Sequence, residues 1–260
     1  MGSFPQSIVH YLPVTDHDER WGIVCTTAGY QNVPPGSPYP LTQHPDSYSF
    51  TRSRGRVLGE YQLLYIVSGQ GEFRSASSPA APVKAGTVVM LFPDEWHTYA
   101  PDPETGWEEW WVGFRGENID RRVAEGFFSP KTPLLHIGHS AGIVSCYQEI
   151  IRSAEEERKG FQQLVTGIVL HLLGSVLFKR DNLQYLDNPI VEKINRAKAI
   201  MRTDFGRNRS PEQIAREVGM GYTWFRRVFR EYVGMAPAQY QHTMRLNKAR
   251  ELLATTAHSI

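Results

Sequence analysis

Cysteine is almost missing from this 260-residue chain. The two present, Cys25 and Cys146, lie 121 residues apart, which argues against a disulfide framework and against a metal site built on thiolates. No run reaches the roughly 18 apolar residues that a membrane span needs, so no membrane partner is expected. The longest apolar stretch, around 164–178, carries His171 and is broken by Gly174 and Ser175. The first residues lack a basic segment followed by an apolar core, so no secretory signal is read and a cytoplasmic location is expected. Net charge is scarce too, with 28 Lys and Arg against 27 Asp and Glu. What remains argues against wholesale disorder: 41% hydrophobic and 12% aromatic residues suffice for a core.

The near-zero charge is a cancellation. Residues 1–188 hold 15 Lys and Arg against 21 Asp and Glu, a net of −6. Residues 189–260 hold 13 against 6, a net of +7. The pattern of residues shifts along the chain as well. Five of six Trp lie within residues 1–111, among short β-branched and aromatic runs at 61–67, 87–92 and 107–114 bounded by Gly or Pro. That spacing predicts an antiparallel sandwich or barrel, with Gly69-Gln70-Gly71 as a hairpin turn. The two-residue period places Trp107, Glu109, Trp111 and Gly113 on one strand face. Residues 142–180 carry apolar side chains at helical spacing and read as two helices parted near Lys159-Gly160. Their apolar faces serve either a dimer contact or packing on the barrel. A linker over 182–189 and an all-helical tail follow. The fold class is α+β, in three segments: 1–135, 136–187 and 188–260.

With Pro211 as the first position of a two-helix unit, Ile214 and Ala215 take positions 4 and 5. Val218, Gly219 and Met220 follow at 8 to 10, and Phe225 and Val228 at 15 and 18. A helix-turn-helix needs this pattern: a small residue where the helices cross, Gly in the turn, large apolar residues between. Ser210 before Pro211 supplies a helix start. The second helix leaves Tyr222, Thr223, Arg226, Arg227 and Arg230 off the apolar positions. In a duplex major groove, Arg takes guanine's two acceptors and Thr packs on a thymine methyl. The alternative is a plain helical hairpin with a solvated basic face, against which the +7 surplus argues.

Residues 211–240, with Phe225-Arg226-Arg227-Val228-Phe229, Gly234-Met235-Ala236-Pro237 and Tyr240, closely resemble the first helix-turn-helix of AraC/XylS-type transcription regulators. Residues 245–253 look like the long helix that joins the two such units of that family. The second unit would follow residues like 253–260, so the resemblance implies a truncated all-α reader with weak operator binding at physiological salt. The resemblance extends to EYQLLYIVSGQG at 60–71, to the stretch from Ala85 to Tyr99, and to 107–116, which look like the cupin-type effector-binding domain of the same family. It implies a cupin-like antiparallel barrel over 1–135, a helical linker or dimerisation segment over 136–187, and the DNA-reading segment over 188–260.

Cupins that hold a metal use clustered His with Glu; residues 54–64 contain no His, and His97 with Glu60 is too small a ligand set. The remaining histidines show no ligand spacing. No metal, no cofactor and no catalysis are therefore expected. Trp107, Glu109 and Trp111, with His97 and Tyr99, offer an aromatic plane beside carboxylate, phenol and imidazole, the equipment for a sugar. By resemblance, Tyr99 and Trp111 match sugar-contacting positions, while Glu109 stands where a His would. Arg54 or Arg56 supplies a further donor. The resulting expectation is an effector-responsive, DNA-binding homodimer. Its alternatives are a metal-dependent cupin enzyme and a stand-alone sugar-binding module.

Overall fold

Along residues 63–66 successive side chains go to opposite places: Leu63 and Tyr65 enter one apolar cluster, Leu64 and Ile66 another. This is the two-residue period of a strand buried on both faces. The computed structural model describes residues 7–40, 48, 51, 53–183, 188–203 and 209–255. It divides into two compact units at Leu183/Gln184.

The first unit runs β1 (Ser7–Tyr11), α1 (Asp16–Glu19), β2 (Val24–Val33), β3 (Tyr61–Ser75), β4 (Ala81–Lys84), β5 (Thr87–Leu91), β6 (His97–Pro101), β7 (Trp107–Arg115), α2 (Glu117–Ala124), β8 (Leu134–His136), α3 (Ala141–Glu156) and α4 (Phe161–Asn182). All strand pairs are antiparallel, in the order β1-β2-β7-β3-β5-β8, with β4 and β6 also paired to β3. This is a cupin-like sheet. Trp110, Val112 and Phe114 of β7 meet Tyr147 and Ile150 of α3 and Val165, Val169 and Leu172 of α4 in one core. Trp107 and Trp111 face the other core, with Phe73, Val83 and Tyr99. The expected shared face of Trp107, Glu109 and Trp111 is thus the inward one.

Gly69-Gln70-Gly71 is a bend inside one continuous strand, not the hairpin turn expected. Residues up to Gly69 pair with β7, and residues from Gln70 on pair with β4. The pairing register shifts between Ile66 and Ser68, and Gly69 has φ +79°. A glycine-centred irregularity of this kind turns a strand from one sheet into another without ending it.

Helices α3 and α4 pack their apolar faces on the sheet. Polar side chains fix them there: Tyr147 Oη donates to the Leu63 carbonyl at 2.9 Å, and Gln162 receives the Cys25 amide at 3.0 Å while donating to the Pro13 and Cys25 carbonyls at 2.9 Å each. By length and composition alone α4 is apolar enough to cross a membrane, although no unbroken apolar run of 18 residues lies in it. Val165, Val169, Leu172, Leu173 and Val176 are core residues, so its hydrophobicity serves packing. Its other face leaves Leu164 and Phe178 exposed.

The second unit comprises α5 (Pro189–Thr203), α6 (Pro211–Glu217), α7 (Tyr222–Val233) and α8 (Pro237–Thr255). Ser210 caps α6 in a reciprocal box: the Gln213 amide donates to Ser210 Oγ at 3.3 Å, and the Ser210 amide to Gln213 Oε1 at 2.7 Å. Gly219, at φ +68°, makes the turn between α6 and α7. Ile214, Ala215, Val218, Met220 and Phe225 are buried as the spacing required. Val228 packs against them partly buried, and Phe229, which the spacing did not pick out, is buried fully. One turn after Phe225 it shares that residue's face, while Val228 sits at the margin. The expected linker at 182–189 and turn at 205–209 lie largely outside the described residues.

A methyl group at Gly69 would overlap the Gly106 carbonyl, in a backbone region closed to most side chains. Gly69→Ala should cost about 2 kcal/mol or more of unfolding free energy in denaturant titration. An unchanged midpoint would show that the bend does not need glycine.

Candidate functional site

Inward-facing residues of four strands surround one cavity in the first unit. Glu109 and Trp111 come from β7, Thr27 and Gln31 from β2, Gln62 from β3 and Tyr99 from β6, with Val9 and Tyr11 of β1 at one side. Arg56, before β3, is held by backbone bonds to His97 in both directions. Tyr39, Pro40 and Tyr48 complete the lining. Gly29 pairs with Trp111 across the sheet, and a methyl group there would occupy the space of the indole ring. Gly113 likewise leaves room for the carboxylate of Glu60.

The polar side chains form a connected set. Tyr39 Oη donates to Glu109 at 2.9 and 3.2 Å from its two oxygens. Arg56 donates to Tyr99 Oη and to the Tyr48 carbonyl, each at 2.7 Å, and lies over the Tyr99 ring. Arg56 Nε donates to His97 Nε2 at 3.3 Å. That assigns the His97 ring proton to Nδ1, which faces the Glu95 carbonyl at 3.0 Å. Burial, aided by the Arg56 charge, pushes His97 down to about 4, so the ring is a neutral acceptor that orients Arg56. Glu60 accepts from Gln62 at 2.8 Å, Tyr48 at 3.1 Å and Thr27 at 3.3 Å. Burial raises Glu109 to about 7, against the opposing pull of the Tyr39 hydrogen bond and Arg56.

Of the expected residues, Arg56, Tyr99, Glu109 and Trp111 line this cavity. His97 stands behind Arg56. Trp107 is buried beside Tyr39 and Tyr99, with ring centroids 5.7 and 6.2 Å away. Arg54 is exposed, and its carbonyl accepts from Trp96 Nε1 at 3.0 Å. Sequence reasoning missed Thr27, Gln31, Tyr39, Tyr48 and Gln62. Gln62 was within reach, two residues after Glu60, whose carboxylate it meets. Tyr39 and Tyr48 carry no periodic signal at all. Among the described residues no three His, Cys, Asp or Glu side chains gather as a metal-binding group.

In the second unit, α7 buries Phe225 and Phe229 and exposes Thr223, Arg226, Arg227 and Arg230 on the opposite side. Tyr222 differs from the expectation: it is partly buried against the helical core. At 100° per residue it falls on the core side of the helix. Trp224, not anticipated, is 39% exposed beside Thr223 and Arg227.

Comparison with known proteins matches an AraC-like ligand binding domain to residues 35–173 and a helix-turn-helix domain to residues 214–260. The chain is 21% identical over 207 residues to the Msm operon regulatory protein of Streptococcus mutans, spanning 78% of this chain and 74% of that protein. It is 20% identical over 224 residues to the raffinose operon transcriptional regulatory protein RafR of Pediococcus pentosaceus, spanning 82% and 77%. Among solved structures, unsaturated fatty acid-bound ToxT from Vibrio cholerae aligns with 12% identity and a TM-score of 0.31, over 100% of this chain and 85% of that one.

The raised Glu109 fixes the sign of a pH effect. The folded chain keeps a proton that the unfolded chain releases near 4.5, so stability falls as pH rises from there through about 7. Glu109→Gln should remove a loss on the order of 3 kcal/mol between pH 5 and 8. Denaturant unfolding of both proteins across that range checks it, and parallel pH profiles would contradict the assignment.

Proposed function

The chain belongs to the AraC family of transcription regulators, which join a ligand-binding cupin domain to a helix-turn-helix that binds DNA, and from that premise we propose that its effector is a carbohydrate bound in the cavity around Glu109. One observation carries this reading. Glu109 and Trp111, two residues apart on one inward strand face, meet Arg56 and Tyr99 across a single cavity. An acceptor, a fixed donor and an apolar plane in that arrangement suit a ring with C–H faces and hydroxyl edges. The name of the raffinose operon regulator, a relative of this chain, supports the same class and suggests raffinose as first probe.

The chain works in the cytoplasm as a non-catalytic homodimer, with 1–135 as sensor, 136–187 as dimerisation segment and 188–260 as DNA reader. Two features of α4 support self-association through its outer side. Leu164, Gly167, His171, Gly174 and Phe178 recur at helical spacing there, and Leu164 and Phe178 are 52% and 68% exposed. In the reader, Thr223, Arg226, Arg227 and Arg230 enter the major groove from α7, while Tyr222 supports the helix from behind. Ligand in the cavity alters operator binding through different affinities for two arrangements of the protein.

Calorimetric titration of the full chain with raffinose and galactose tests the effector class. Trp111→Ala should weaken the binding about tenfold by removing the stacking surface. Absence of binding by either sugar, or a Trp111→Ala variant that binds as well as wild type, sinks the carbohydrate reading. For the reader, Arg227→Ala should lower the slope of log affinity against log salt by about 1 on a duplex, through one lost phosphate contact. The same protein should keep a two-chain mass in sedimentation. A salt slope unaltered by Arg227→Ala would remove α7 from the interface.

A further inference from the structure

The cavity around Glu109 is narrow. Tyr39 and Tyr48 bring their phenols into it and leave about 20 Å³, room for one water. Each phenol donates to a buried carboxylate: Tyr39 to Glu109 at 2.9 Å, Tyr48 to Glu60 at 3.1 Å. The Tyr39 ring also stands edge-on to Trp107, 5.7 Å between centroids, and 6.1 Å from the Tyr99 ring. A sugar ring is far larger than the space left over, so its entry requires part of the lining to move.

We propose that Tyr39 and Tyr48 are built-in competitors for the effector site: their hydroxyls hold the acceptor positions on Glu109 and Glu60 that effector hydroxyls take over, and the effector binds by displacing them. This rests on the reading of the cavity as the effector site. The exchange is hydroxyl for hydroxyl, so neither buried carboxylate is left without a donor in either state, which would cost several kcal/mol. A ligand lacking hydrogen-bond donors cannot make the exchange, and this excludes purely apolar molecules before any finer fit. Residues 34–40 move with Tyr39. Their backbone is tied outward by the Gly36 amide to the Pro103 carbonyl at 2.8 Å, and inward by the Tyr39 hydroxyl. Occupancy of the cavity is thereby converted into release of a surface segment. Apparent affinity is the intrinsic affinity multiplied by the fraction of molecules in which the phenols are unseated.

The test turns on an unusual sign. A residue that contacts ligand weakens binding when trimmed, whereas a competitor strengthens it. Tyr39→Phe, which keeps the ring and removes the hydroxyl, should bind raffinose about tenfold more tightly than wild type, the worth of one hydrogen bond to a charged group. Equal or weaker binding overturns the proposal. Hydrogen exchange supplies an arm that needs no ligand. Tyr39→Phe should speed exchange at the Gly36 and Ser37 amides about tenfold while the strand amides of β3 and β7 keep wild-type rates. Unchanged exchange at Gly36 and Ser37 overturns the proposal. Raffinose that binds wild type without speeding those amides does so as well. If raffinose binds neither protein, the carbohydrate reading fails, and the exchange arm still decides whether Tyr39 plugs the cavity.

Discussion

Burial of both faces of the central strands is the constraint from which the sensor unit follows. Strands β3 and β7 alternate Leu63, Tyr65, Trp110 and Val112 toward the helices with Leu64, Ile66, Trp107 and Trp111 toward the interior. A strand with apolar side chains on both faces needs a cover on each. Helices α3 and α4 cover one. On the other, β3 bends at Gly69 and continues into a second set of pairings with β4 and β6, so that one strand serves both walls. The cavity exists because the sheet closes over its inner face without filling it.

Polar groups inside that closed space dictate its chemistry. Glu60, Glu109, Gln62 and His97 are all buried, and each is satisfied by a named neighbour. His97 stays neutral and accepts from Arg56, which frees the remaining donors of that guanidinium for Tyr99 and the Tyr48 carbonyl. Gly29 and Gly113 matter by what they lack: the indole of Trp111 and the carboxylate of Glu60 lie where their side chains would be. A buried carboxylate at Glu109 is costly to ionise, and a hydroxyl donor beside it lowers that cost. The same requirement recruits Tyr39 in the unliganded chain and suits a sugar hydroxyl in the bound one.

The reader unit depends on local rules to a greater degree. Capping by Ser210, the left-handed Gly219 and the small Ala215 act over short spans of chain, and all were legible as spacing; Gln213, which completes the cap, was not singled out. The spacing placed Val228 against the core, where it packs partly buried, and passed over Phe229, which is buried fully. Tyr222 shows the limit of the same logic. Its place at the helix start looked like a reading position, yet the angle of the helix carries it toward the core.

Alternation on strands, helical spacing, the opposed charges of the two halves and the turn glycines are properties of neighbouring residues, so the sequence by itself determined the α+β class, the inward face carrying Trp107, Glu109 and Trp111, and the helix-turn-helix with its arginines. Choosing Arg56 over Arg54, setting Trp107 behind the cavity and bringing Tyr39 and Tyr48 onto two carboxylates were decided only by the tertiary structure. Those contacts join residues 70 apart in the case of Tyr39 and Glu109, and Tyr39 itself lies in a segment with neither strand nor helix. Gly69-Gln70-Gly71 reads as a turn in isolation and becomes a bend within a strand because partners on both sides, β7 and then β4, hold it extended. Periodicity reports which way a side chain points; what it meets there depends on parts of the chain brought back from far away.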